Sequence, residues 1–174
     1  MTAHERLQDD LREIRRRYDS LSRGRRAAIR HSKTVEDLVL DPVYWHVAGA
    51  LTHTRRDLPH VVLLFPYAAQ GRQRTRQFSF GRFLAQRLGD TEGAALRFRR
   101  IMASSDPDDL DHRLRGVLRL ACGDGAAIDW AVLGADILGF FHEGRHVRRR
   151  WAQDFYAPIA SDTPTATRPD SRRT

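Results

Sequence analysis

DPDDLDHRLRGVLRLA, residues 106–121, is written as an α-helix from its first residue. Asp106 has the side chain of an N-cap, and Pro107 takes the first helical position, where its missing N–H costs nothing. Asp108 and Asp109 place negative charge at the positive end of the helix dipole. Leu110, Leu114, Val117, Leu118 and Ala121 recur at three- and four-residue steps and make one face apolar. Arg115 and Arg119, four apart with His112 beside them, point the other way. The segment reads as an amphipathic helix with a leucine-rich inner face and a basic outer one.

The same period runs outward in both directions. Leu7, Leu11, Ile14, Tyr18 and Leu21 form one stripe, and SRGRRAAIRH (22–31) is a short basic helix. DPVYWHVAGAL (41–51) starts with Asp41 as N-cap and Pro42 in its first turn. LPHVVLLFPYAA (58–69) is apolar enough for a buried helix whose ends Pro59 and Pro66 constrain. FSFGRFLAQRL (78–88), TEGAALRFRRIMA (91–103), IDWAVLGADILGFF (128–141) and EGRHVRRRWAQDFY (143–156) supply further helices. No run alternates with period two, and no repeat is present. The expectation is an all-α, compact multi-helix bundle with a basic face. Residues 1–156 are expected to form one helical domain. The Pro-, Ser- and Thr-rich residues 157–174, which have little to bury, are expected to be a disordered C-terminal tail. Ala69 to Gln77 is expected to be a polar basic loop.

The 174 residues are enough for one domain with a sizeable core. A net charge of +8 and a pI near 10.8 favour nucleic acid or another anionic surface as partner. Of the basic residues only Lys33 is a lysine, a bias that a GC-rich genome also produces, so the placement of the arginines matters more than their number. Cys122 is the single cysteine, which excludes an intrachain disulfide and a cysteine zinc cluster and fits a reduced, cytoplasmic setting. The N-terminus lacks an apolar signal core, and no apolar run reaches the roughly 18 residues of a membrane helix.

Helical geometry, about 100° per residue, places the arginines. Arg23, Arg26 and Arg30 form one stripe. Arg99 and Arg100 face away from Phe98, Ile101 and Met102. In the last helix Val147, Trp151 and Phe155 form the apolar stripe, and both aromatic residues are read as core rather than as platforms for bases. Arg149 and Arg145 lie opposite, Arg148 and Arg150 flank the stripe, and Arg150 has Asp154 four residues on as a partner. Like charges at such spacings cost a helix a few tenths of a kcal/mol each, so their repetition over several helices points to a polyanion, with a solvated basic surface that aids solubility as the alternative.

HEGRH (142–146) matches the H-E-x-x-H zinc-protease pattern, in which two histidines on one helical face bind zinc and the glutamate activates water. Gly144 marks a break between helices there, and no downstream glutamate or histidine ligand follows. No metal or other cofactor is expected. There is no local Ser/His/Asp signature, no P-loop and no G-x-G-x-x-G, and no helix carries a base-reading array of Asn, Gln and Arg.

LSRGRRAAIRHS, FSFGRFLAQRL, ALRFRRIMAS followed by LDHRLRGVLRLA, and IDWAVLGADILGFF with VRRRWAQDFY occur in that order. Together they resemble the CasB family, the small subunit of the type I-E CRISPR surveillance complex Cascade, over roughly residues 10–156. The resemblance implies an all-helical protein without nuclease activity. Two copies of it would line the complex beside the other Cascade subunits. They would contact the crRNA–target region and hold the displaced DNA strand of the R-loop. It also implies nucleic-acid contacts at Arg30, Arg115, Arg145 and Arg148, with Arg82 matched but open to a structural role. With the outward arginines from periodicity, the candidate nucleic-acid-binding residues are Arg23, Arg26, Arg30, Arg99, Arg100, Arg115, Arg119, Arg145, Arg148 and Arg149. A stand-alone DNA- or RNA-binding regulator is the alternative, with a metallopeptidase third.

Overall fold

Side chains that cap helices recur along the chain, and the computed structural model, which describes residues 1–49, 56–71 and 79–157, has a helix after nearly every one. Among the described residues there are ten α-helices: α1 (Ala3–Asp19), α2 (Arg23–His31), α3 (Val35–Val39), α4 (Pro42–Ala48), α5 (Leu58–Leu64), α6 (Phe80–Leu88), α7 (Glu92–Met102), α8 (Pro107–Ala121), α9 (Trp130–Gly139) and α10 (His146–Tyr156). The all-α expectation holds. Thr2 and Glu5 form a capping box on α1, and Thr34 and Asp37 form another on α3. Ser22, Thr91, Asp106 and Asp129 accept from first-turn amides of α2, α7, α8 and α9. Such a cap contributes about 1 kcal/mol.

Three features differ from the sequence reading. Helix α3 is absent from it; five residues are too short for a visible period, and the capping box is the only local signal. The connector from Ala69 is not wholly loop. Ala69–Gln70 (β1) pairs in parallel with Ala127–Ile128 (β2), a two-residue match that no alternation can announce. Arg150 bonds Asp136 of α9 rather than Asp154. Asp136 also accepts from Trp151 Nε1 at 2.6 Å, so this buried carboxylate carries two donors from α10. The remainder of the connector, residues 72–77, and the tail from residue 158 lie outside the described residues, as do residue 78 and residues 50 and 51 at the end of the DPVYWHVAGAL segment.

Helix α5, apolar at nearly every position, is buried from Leu58 to Leu64 and passes into a 3-10 turn at Phe65–Tyr67, where Pro66 ends the α-helical pattern. Around it, α1 packs on α9, α10 on α6, and α8 on α5. Two glycines permit the closest approaches. A Cβ on Gly134 would lie 3.1–3.2 Å from Val61 and Leu11, and one on Gly81 would overlap the Trp151 carbonyl oxygen. Trp130 and Trp151 are fully buried, and Phe155 stacks on Phe98 at 4.0 Å, so the last helix uses its aromatic residues to dock, as expected.

Candidate nucleic-acid interface

The stripe Arg23, Arg26 and Arg30 arises because Ile29 turns the apolar side of α2 inward. The three arginines line a cleft of about 660 Å³ whose opposite wall is the segment from Phe65 to Gln70. All three are exposed, and none has a carboxylate within 4.0 Å among the described residues. Tyr18 stands in the cleft; burial raises its phenol above the ordinary range, against the pull of Arg15, Arg30 and Arg26.

The residue that shapes this cleft, Arg15, is not among the arginines singled out from the sequence. It is 4% exposed and donates to the Phe65 and Ala68 carbonyls at 3.1 and 3.0 Å and to Asp19 at 2.9 Å. Its guanidinium lies within 5.5 Å of the Tyr18, Phe65 and Trp130 ring centroids. The available signal is its place beside Leu11 and Ile14 with Asp19 four residues on; the acceptors 50 and 53 residues away leave no trace in the local pattern. Arg15, Asp19 and Gln70 also line a second cleft of about 630 Å³ that extends toward Arg12 and Arg16. Those two are surface-paired with Asp9 and Glu13 at 2.6 and 2.8 Å. Arg16 and Arg17 together hold the Glu13 carboxyl down at about 2.

The other candidates separate into distinct environments. Arg119 is exposed and lies 5.5 Å over Tyr67, on the turn that walls the first cleft. Arg115 is half-buried, its Nε without a partner. Arg99, Arg100 and Arg149 are exposed and line neither of the clefts described above. Arg145 is exposed at the N-cap of α10, its backbone left-handed (φ 47°), which costs a non-glycine residue about 1 kcal/mol. Arg148 is a packing residue: it donates to the Met102 and Ser104 carbonyls at 3.2 and 3.0 Å and lies over Phe140 and Phe141 at 4.5 and 5.1 Å. Arg82 donates to the Ala157 carbonyl at 3.2 Å.

Residues 142–145 of HEGRH are not helical. Gly139 ends α9, Arg145 N–H closes a turn on the His142 carbonyl at 2.9 Å, and α10 begins at His146, so the two imidazoles do not come from successive turns of one helix. Among the described residues the one group with ligand atoms close enough to share an ion is His60, Asp108 and Asp111. There His60 Nδ1 and Asp111 Oδ2 are 2.5 Å apart, a hydrogen-bond distance, and Asp108 is 4.0 Å off. That arrangement is a buried bridge between α5 and α8.

A sequence-family profile described as CRISPR-associated protein Cse2 matches residues 20–156, which include α2 through α10 and every arginine singled out from the sequence. The chain belongs to the CRISPR-associated Cse2 family. A curated relative, the CRISPR-associated protein Cse2 of Thermus thermophilus, is 38% identical over 85 residues, 47% of this chain and 48% of the relative. The match therefore spans about half the relative's length. Two crystal structures share the fold: a Cse2-family CRISPR-associated protein of T. thermophilus with a TM-score of 0.63, and CasB from T. thermophilus with 0.62. Each is 23% identical, over 91% of this chain and 100% of the other. In this Cse2-family chain the first cleft lies largely within the profile-matched range, whereas Arg12, Arg15 and Arg16 precede it.

Proposed function

We propose that this Cse2-family protein is a non-catalytic subunit of a CRISPR Cascade ribonucleoprotein in antiviral defence. It works in the cytoplasm, beside other Cascade subunits and a second copy of itself. Its basic surface contacts the crRNA–target region and retains the displaced DNA strand of the R-loop. The observation that carries this reading is the α2 cleft, where Arg23, Arg26 and Arg30 line one side and have no carboxylate within 4.0 Å among the described residues. Guanidinium groups at helical spacing track phosphates without reading bases, which is what a displaced strand of any sequence requires. Exchange of a DNA duplex for a guide–target hybrid is nearly balanced, so a few phosphate contacts shift the equilibrium toward the open loop.

Binding of single-stranded DNA and of assembled R-loops, followed as a function of salt, tests this reading. Each of Arg23→Ala, Arg26→Ala and Arg30→Ala should flatten the slope of log K against log salt by about 0.7 and weaken all sequences alike. Unchanged slopes in all three variants would reject the assignment. So would Mg²⁺-dependent cleavage by the purified protein that a point substitution abolishes.

A further inference from the structure

Helices α5 and α8 meet across a polar contact between buried groups. His60 of α5, 9% exposed, faces Asp111 of α8, 3% exposed, with Nδ1 and Oδ2 2.5 Å apart. Asp108 precedes Asp111 by three residues on the same face of α8, and its exposed carboxylate stands 4.0 Å from the imidazole. Asp111 Oδ1 is buried and has no partner. Arg115, one turn further along α8, does not supply one, and its own Nε is likewise unpartnered. A buried carboxylate oxygen left bare is costly, so this one calls for a cation or a donor. Further negative charge surrounds the pair. Asp57 acts on His60 from the start of α5, and His60 acts on Asp106 at the cap of α8. In a chain of net charge +8, carboxylates therefore gather around this one imidazole.

His60 Nδ1 and one oxygen from each of Asp108 and Asp111 lie within 4.8 Å of one another. Ligand atoms of a tetrahedral zinc ion, each about 2.0–2.1 Å from the metal, are about 3.3 Å apart. The separations of 2.5 and 4.0 Å bracket that value. His60 and Asp111 need open by only about 0.8 Å, and Asp108, whose side chain is free in solvent, need close by about 0.7 Å. From this juxtaposition of an imidazole, two carboxylates one turn apart and an unpartnered buried oxygen we infer that His60, Asp108 and Asp111 bind one transition-metal dication of the zinc class, with water in the fourth position. The imidazole nitrogen selects such an ion over Mg²⁺ and Ca²⁺, which take oxygen ligands. The ion takes the place of the proton between Nδ1 and Oδ2, compensates the charge that Oδ1 shares, and ties α5 to α8. The metal-free chain keeps the hydrogen-bonded bridge. The site shares no residue with either arginine cleft, and it stands or falls apart from the nucleic-acid reading.

The test is a Zn²⁺ titration of the full chain after chelator treatment, followed by calorimetry and by thermal melting. One Zn²⁺ should bind per chain. At a hundred-fold excess over Kd the melting temperature should rise by roughly 5–10 °C, while Mg²⁺ at the same concentration leaves it in place. Asp108→Asn is the deciding variant, because its side chain is exposed and lies outside the His60–Asp111 hydrogen bond. Its metal-free melt should hardly move, yet its zinc affinity should fall at least about ten-fold, the loss that even an outer-shell partner causes. His60→Gln should abolish the zinc-dependent rise. The double variant His142→Ala, His146→Ala should bind zinc as wild type does. Absence of one-to-one binding, an Asp108→Asn protein that binds as wild type, or loss of binding in the His142 and His146 double variant would each overturn the site.

Discussion

His60 and Asp111 form a bridge inside the protein, and their titration is tied to stability. Burial opposes a charge on His60, but the hydrogen bond and charge of Asp111, with Asp108 and Asp57 beyond, outweigh it and raise the imidazole above the usual histidine value. Burial also raises the Asp111 carboxyl, although His60 and Arg115 pull against it. Both groups thus bind their protons more tightly when folded. For His60 the contribution is fully present below the unfolded value of about 6.5 and is lost as pH rises through the raised folded one. Urea midpoints measured from pH 6 to 9 should fall with rising pH in wild type and flatten in His60→Gln; parallel profiles would sink the assignment. Arg148 and Arg30 make a second contrast. Arg148→Ala removes two charged-donor hydrogen bonds and should lower stability by about 2 kcal/mol. Arg30→Ala should leave the denaturation curve unchanged and reduce strand binding.

The helix pairs depend on small residues at their crossings. Helix α6 lies so close to α10 that any side chain at Gly81 meets the Trp151 backbone. Gly81→Ala should therefore cost roughly 3 kcal/mol, despite alanine's better helix propensity, as the overpacked pair separates. Thermal melts of this variant beside Gly116→Ala, where an added Cβ meets nothing within 4 Å, would isolate the clash from propensity. A Gly81→Ala protein as stable as Gly116→Ala would show that the two helices are not in this contact. Helix α2 behaves differently, because its outer face is bordered by a cleft and its arginines are not engaged in the packing.

Across the whole molecule, the two clefts share Arg15, Asp19 and Gln70 in their linings, with arginines of α2 along the first and of α1 along the second. A variant with Arg23, Arg26 and Arg30 all changed to alanine should lose about 2 units of salt slope for single-stranded DNA, the sum of three phosphate contacts. Adding Arg12→Ala and Arg16→Ala should flatten it less per residue, since Asp9 and Glu13 already compete for those two side chains. A measured loss well below one unit for the triple variant would mean that the α2 face is solvated surface only.

That the protein is helical, where most of its helices start, and that arginines stripe several of them can all be read from the order of residues. Those properties are local: a cap reaches three residues, an apolar face repeats within one turn, and neither waits for the rest of the chain. The two-residue strand pair, the short α3 and the 3-10 end of α5 have too little length to show a period. What each arginine does is set by long-range packing instead. Arg15 and Arg148 sit at the margins of apolar stripes, as several exposed arginines do, yet carbonyls 44 to 53 residues away hold them inside. Asp136 likewise draws Arg150 away from its helical neighbour, because a buried carboxylate needs donors more than an exposed one does. Charge is written in the sequence, but whether a guanidinium is desolvated against a carbonyl or left facing a cleft depends on which distant backbone the fold brings to it.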